Sequence, residues 1–325
     1  MPEVRVDPLS GHRTIVAARR ATRPGGQLSA SAPEPIDIAS DPFAEGHENR
    51  TPPELHAVRA HGPPNGPGWT VRVIPNLYPA LSPDSPQPAA QARPELFHAL
   101  AATGAHEVII NGPQSVMSLA ALSAAQAQVA IGVWRERVSA HAASAYTQLI
   151  VNERREAGAS LPHTHAQLYA LDFVPAEVAR ERERFHAYAT QTMGRNLLED
   201  VIAEEVRLRD RLVAHDEQAV LVAPYASRMP YQLMLVPRAP RARFEDEGPL
   251  GAALLHDGLC RLARVLGASP PLNLWLRTAP RGAEHFCWRI DIAPRLTHLA
   301  GLELSTGVNL NIVAPETVAA QLRDA

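Results

Sequence analysis

Residues Ser160–Leu171 read SLPHTHAQLYAL. Two histidines, His163 and His165, stand one residue apart, Gln167 follows, and an apolar run comes next. On a β-strand, alternate residues share a face, so this spacing predicts that His163, His165 and Gln167 line up on one side. Just upstream lies the small-residue stretch EAGAS, able to bring backbone amides close to an anion. An imidazole beside clustered hydrogen-bond donors suits nucleophilic attack on phosphorus. One ring nitrogen must be free, and the other must be held as a donor, which fixes the tautomer. A glutamine amide can then donate to phosphoryl oxygens as charge shifts there. Taken alone, the pair is as open to metal ligation as to catalysis, and ordinary polarity on a strand is the commoner reading.

The elements that must position these residues can be read from the flanking pattern. YTQLIVNE (146–153) and HAQLYALDFVP read as strands, with the histidines at the start of the second. TVRVIPNLYPAL starts as a strand and ends in a turn, and HEVIING is a strand bounded by Gly-Pro. Residues 123–142 have helical periodicity with Ser123 at the N-cap. Residues 178–215 are charged and helix-like, 218–238 read as two antiparallel strands around a turn, and 250–266 as a helix. LNLWLRTAP, HFCWRIDIAP and the tail after Gly301 return to strand before a last short helix, and residues 1–70 read as irregular structure wrapped on a core. The order repeats: strand–turn–strand, helix, strand, loop, strand occurs before Pro175 and again after Gln218. This predicts an α+β fold from an internal duplication, with antiparallel sheets flanked by helices and halves at 1–175 and 176–325.

Composition narrows the function classes. The 325 residues are 46% apolar with a formal net charge of −3, and lysine is absent, so every basic side chain other than histidine is arginine. No basic block offers itself to a nucleic-acid backbone, although an arginine-lined site for a small phosphate remains open. Cys260 and Cys287 make no disulfide framework and suit a reducing interior. No apolar run reaches the length of a membrane span and no apolar signal core opens the chain, so the expectation is a cytoplasmic protein with no membrane partner.

Five segments, in order along nearly the whole chain, resemble the galactose-1-phosphate uridylyltransferase family of the histidine-triad superfamily. They are RVDPLSGHRTIVAARRATRPG, DPFAEGHENRTPPE, RVIPNLYPAL, NERREAGASLPHTHAQ and PRLTHLAGLELSTG. The resemblance implies a duplicated histidine-triad (HIT-like) fold whose second half carries a degenerate motif. It also implies that His165 attacks the α-phosphorus of a nucleoside diphosphate sugar, carries the nucleotide covalently, and passes it to a sugar phosphate. Gln167 matches the glutamine that bonds the phosphoryl group. Asn76, Asn152 and Ser160 match polar residues lining the nucleotide and diphosphate site, and Arg20 and Arg23 match arginines near the sugar phosphate. Asn76, after Pro75, is equally placed as a turn residue. A homodimer whose sites draw on both subunits is implied as well.

The chain departs from the pattern at both family metal sites. Where the family places zinc on a Cys-x-x-Cys, a downstream histidine and the first histidine of the motif, this sequence has Asp41, Ala44, a position near Ser115, and His163. Alanine cannot ligate, so no zinc is expected and His163 is assigned to orienting the site by hydrogen bonding. At the second, iron-type site Glu181 is kept, but the histidine positions fall on or near Arg277, Cys287 and Arg289. Arg289 is expected instead to pair with Glu181 or Asp291. No metal or other cofactor is therefore expected. Thr164 takes the place of the usual proline and should keep extended geometry with its side chain turned away. The leading expectation is nucleotidyl transfer, with UMP as the group moved. The alternatives are a phosphorylase acting on a nucleotide sugar or dinucleoside polyphosphate, a hydrolase, and a retired nucleotide-binding protein.

Overall fold

The computed structural model describes residues 1–22, 28–89, 93, 96–246 and 251–325. Thirteen strands and six α-helices alternate along it. The first three strands are β1 (Glu3–Val6), β2 (Arg13–Val16) and β3 (His56–Arg59). Next come β4 (Trp69–Pro75), β5 (Gly104–Ile110), α1 (Ala124–Ala140), β6 (Tyr146–Glu153) and β7 (His165–Leu171). Helices α2 (Ala176–Gln191) and α3 (Leu197–Leu208) follow, then β8 (Leu212–His215), β9 (Ala219–Val222) and β10 (Leu233–Pro237). The chain closes with α4 (Ala252–Leu266), β11 (Leu272–Arg277), β12 (Arg289–Pro294), α5 (Gly301–Thr306), β13 (Asn309–Asn311) and α6 (Pro315–Arg323).

Ten strands form one antiparallel sheet in the order β3-β4-β5-β7-β6-β11-β12-β10-β9-β8. Read outward from the central β6–β11 pair, both sides run in the same connectivity, so each strand of the first set has a counterpart in the second. The sheet is thus a repeated unit joined edge to edge, which satisfies an edge of each set that would otherwise be unpaired. At the seam Asn152 faces Asn273 and Ile150 faces Trp275. A small second sheet, β1-β2-β13, brings the two ends of the chain together, with β13 parallel to β2.

Both long central helices lie on one face of the large sheet. In α1 the buried positions Ala127, Ala130, Ile131, Trp134 and Val138 recur at helical spacing, and the Ser123 hydroxyl accepts the Gln126 N–H at 3.1 Å. In α4 Leu255, Leu259, Leu262 and Leu266 do the same, and Gly267 in the left-handed region ends the helix. They pack on Leu149, Val151, Ala166 and Leu168 of the first set and on Leu272, Leu274, Ile290 and Ile292 of the second. On the opposite face, Phe185, Leu198 and Ile202 from α2 and α3 cover β9 and β10. Among the described residues the first set has no such helices on that face. There Phe43, from the loop after residue 38, packs with Trp69, Ile74, Val108 and Ile110 and leaves a cleft.

Some local expectations are corrected. The helical region after residue 178 is two helices, because the chain turns at Met193 and Gly194, both at positive φ, and Asn196 caps a new start with its Oδ1 on Leu198 N–H. Its end, from Leu212, is strand. Residues 1–70 contain three strands rather than only irregular structure, and Gly301–Thr306 is helical before the last strand forms. Among the described residues no helix is long and apolar enough to cross a membrane.

Candidate active site

Strand β7 supplies the centre of the cleft. Its register against β5 and β6 sends Ala166, Leu168 and Ala170 into the helix-side core, which turns His165 and Gln167 to the other face. The cleft has a volume of about 510 Å³, within the range of small-ligand sites. Phe43, Arg50, Thr51, Asn76, Leu77, Tyr78, Val108 and Ser160 line it together with His165 and Gln167.

The His165 ring is fixed by one bond: Nδ1 donates to the His163 carbonyl at 2.7 Å. Among the described residues nothing engages Nε2, so its lone pair is left for an electrophile. Burial pushes the His165 pKa below its ordinary value; the bond to His163 opposes that without reversing it. A buried ring kept neutral, with its proton on Nδ1, is the form a nucleophilic imidazole requires. The edge of Phe43 packs on the ring, with centroids 5.3 Å apart.

Gln167 is oriented by two side chains that its motif does not reveal. His106 Nδ1 accepts the Ala80 N–H at 3.1 Å, which places the ring proton on Nε2, and Nε2 donates to Gln167 Oε1 at 3.1 Å. Burial lowers the His106 pKa, in keeping with a neutral ring. The Tyr169 hydroxyl donates to the same oxygen at 3.0 Å, and its ring stacks on His106 at 4.0 Å. With Oε1 saturated by donors, the Gln167 NH2 is left to donate to a ligand. Tyr169 could have been found from the period-two alternation of β7. His106 could not, because it arrives from β5 through pairing distant in sequence.

His163 departs from the expected alignment. It lies just before β7, and its ring is turned away from the cleft into a fully buried pocket. There Nδ1 lies 2.7 Å from Asp41 Oδ2 and Nε2 lies 2.8 Å from the Gly112 carbonyl. Ser115 donates to the same Asp41 oxygen at 2.8 Å, and the Phe43 N–H donates to Oδ1 at 2.9 Å. Burial alone would raise the Asp41 pKa, but the hydrogen bond and charge of His163 outweigh it and hold the carboxyl below its ordinary value. Thr164 points to the helix side, where its hydroxyl accepts from Asn111 Nδ2 at 3.1 Å.

The zinc of the family does not fit this cluster. Ala44 offers no donor, and the direct Asp41–His163 contact occupies the space an ion would need between them. At the second family metal position, Arg289 donates to both Glu181 oxygens at 3.0 and 2.9 Å and to Asp291 at 3.0 Å. Arg277 adds a 3.5 Å contact to Glu181. Guanidinium groups fill the place of ligands, so an iron-type ion does not fit either.

The remaining sequence-predicted residues divide. Ser160 lines the cleft. Asn76 lines it too, but its Oδ1 accepts the Tyr78 N–H at 2.9 Å, so its side chain serves the turn. Continuing the β6–β7 register by one step sets Asn152 opposite His165, and its Oδ1 accepts from Asn273 at 2.8 Å across the seam. The loop after Asn152 begins at Arg154, held at φ 71° and ψ 157° while its guanidinium donates to the Ser31 carbonyl at 2.9 Å. Such a backbone costs about 1–3 kcal/mol, and the Arg154 carbonyl accepts the Ala157 and Ala159 N–H groups at 3.1 Å each. Arg20 does not join this cleft; it lines a second concavity with Arg228, Arg295 and His298. Arg23 lies outside the described residues.

Comparison with known proteins shows what the chain is similar to. The model for galactose-1-phosphate uridyl transferase, N-terminal domain, matches residues 1–175, and a domain of unknown function, DUF4921, matches residues 117–325. An ADP-glucose phosphorylase from Arabidopsis thaliana is 29% identical over 336 aligned residues, covering 99% of this chain and 93% of the relative. A galactose-1-phosphate uridylyltransferase from Rattus norvegicus is 28% identical over 287 residues, covering 86% of this chain and 73% of the relative. The crystal structure of an ADP-glucose phosphorylase from Arabidopsis thaliana with bound ADP-glucose superimposes with a TM-score of 0.82 at 27% identity, covering 100% of this chain and 99% of that one.

Proposed function

The chain belongs to the galactose-1-phosphate uridyl transferase family, and from that premise we propose that it transfers a nucleoside monophosphate from a nucleoside diphosphate sugar through a covalent intermediate on His165. The observation that carries this is the His165 ring, neutral by burial, tied by Nδ1 to the His163 carbonyl and open at Nε2 in the cleft. Nε2 attacks the α-phosphorus, an N–P bond forms, the bond to the bridging oxygen breaks, and sugar 1-phosphate leaves. Gln167 donates its NH2 to the phosphoryl oxygens as they gain charge. In the second half an acceptor oxygen attacks the same phosphorus from the vacated side and the N–P bond breaks.

The acceptor in the leading reading is a second sugar 1-phosphate and the nucleotide is UMP. Full-length similarity to an ADP-glucose phosphorylase favours a second reading, in which inorganic phosphate is the acceptor and a nucleoside diphosphate is released. The same histidine serves both. We place the protein as a homodimer, in which the Arg20, Arg228 and Arg295 concavity of one protomer faces the cleft of its partner. Guanidinium groups suit a sugar phosphate, and Arg20 otherwise has no place at the cleft. A nucleotide-sugar substrate and two free cysteines fit a cytoplasmic setting.

The test is intact-mass analysis after mixing with UDP-glucose, UDP-galactose or ADP-glucose, with His165→Ala as control. A nucleotide-sized gain with one donor, absent in the control, is expected. Adding glucose 1-phosphate, galactose 1-phosphate or phosphate to the labelled protein then shows which acceptor discharges it. No gain and no release of nucleotide from any donor would overturn the proposal.

A further inference from the structure

The cluster around Asp41 is more than the remnant of a metal site. Asp41, Ser115, His163 and the Gly112 carbonyl come from three separate chain segments and meet with no exposed side-chain surface at the central pair. Every polar atom of the core has a partner. The His163 ring has an acceptor on each side, Asp41 Oδ2 at 2.7 Å and the Gly112 carbonyl at 2.8 Å. Only a ring donating from both nitrogens satisfies both contacts, and the Asp41 carboxylate supplies the opposite charge such a ring needs when buried.

This cluster reaches the cleft by two routes. The His163 carbonyl is the acceptor that holds His165 Nδ1, so fixing the His163 ring fixes the backbone that sets the His165 tautomer. The Asp41 Oδ1 accepts the Phe43 N–H, and the Phe43 ring packs its edge against His165. The His47 Nδ1, 2.7 Å from the Asp41 carbonyl, ties the same loop from the other side.

We propose that Asp41 is a positioning residue of the transfer reaction: its carboxylate, clamped on the buried His163 ring, holds the His163 carbonyl and Phe43 against His165 and replaces a metal ion in that task. The proposal rests on His165 as nucleophile for its kinetic arm and on the geometry alone for its spectroscopic arm. Loss of a partner that orients a reacting group costs about 10–100-fold in activity.

The experiment compares the full chain with Asp41→Asn, and with Ser115→Ala as the milder change at the same oxygen. Nitrogen-15 spectra of histidine-labelled protein read ring protonation whether or not the protein turns over. In the wild type His165 should carry one proton, on Nδ1. In Asp41→Asn it should exchange between tautomers. With the donor identified by mass, the rate of nucleotidyl-histidine formation should fall about 10–100-fold in Asp41→Asn while donor KM stays within about threefold. Ser115→Ala should fall in the same direction by less. Treatment of the wild type with a chelator should leave the rate unchanged. A single Nδ1-protonated His165 in Asp41→Asn overturns the proposal even if no donor labels the protein. If Asp41→Asn does not fold, an unchanged spectrum and rate in Ser115→Ala overturn it, as does wild-type labelling that is lost on chelation and restored by zinc.

Discussion

Replacing Arg289 by methionine should be one of the most damaging changes away from the cleft. Its guanidinium is almost entirely buried, donates twice to Glu181 and once to Asp291, and shares Glu181 with Arg277. Burial disfavours the charge, but Asp291 and Glu181 overcome that and hold the Arg289 pKa far above its ordinary value; the same surroundings keep Glu181 below its own. Methionine keeps the length of the side chain and removes the charge. Two buried carboxylates then face one remaining close guanidinium. Breaking a buried pair from one side costs about 3–5 kcal/mol. For a chain of this size the unfolding entropy makes that a fall of roughly 4–7 °C in Tm. Differential scanning fluorimetry of Arg289→Met, Glu181→Gln and the double variant would measure it. The double variant should recover part of the loss, because one of the stranded carboxylates is gone. A single Arg289→Met variant melting within about 1 °C of wild type would refute the argument that this cluster is held by its charges.

Two further outcomes follow from the site and its surroundings. His106→Leu removes a donor from Gln167 Oε1 and frees its amide to rotate, so the chemical step should slow by about tenfold with donor KM little changed, read by single-turnover labelling; an unchanged rate would mean that Tyr169 alone orients Gln167. Glu153 is buried at the end of β6, and burial raises its carboxyl to about 7 against the Leu119 N–H bond that opposes the rise. The folded state therefore holds a proton that the unfolded chain has lost, so stability falls as pH rises from about 4.5 to about 7 and is level above it. Glu153→Gln should accordingly melt higher than wild type at pH 8, with the advantage shrinking as pH falls through that window.

The strands and central helices were legible because their signals are local. β6 spans the residues its sequence pattern marks, and Ser123 caps α1 as its type and place suggest. The repeated order of strands and helix was visible for the same reason. Misreadings arose where a local signal was ambiguous: the charged stretch after residue 178 has helical composition throughout, and only the turn at Met193 and Gly194 divides it. The reading of Asn76 as either ligand or turn residue needed the partner of its Oδ1 to be known, and that is the Tyr78 N–H.

By itself the sequence placed His165 and Gln167 together, since a strand sets residues of even spacing on one face, while His163, just before the strand, escaped that rule. It also showed that residues without ligand character, Ala44, Arg277 and Arg289, stand on or near positions where the resemblance sets metal ligands, since alanine has no donor atom and arginine carries a positive charge. Tertiary structure decided which partners the polar residues take. Asp41 meets His163 across 122 positions, Arg289 meets Glu181 across 108, and His106 meets Gln167 across 61. Each contact depends on strand order and register, which arise from burial of many apolar side chains at once and leave no mark in the spacing of the few polar residues they bring together.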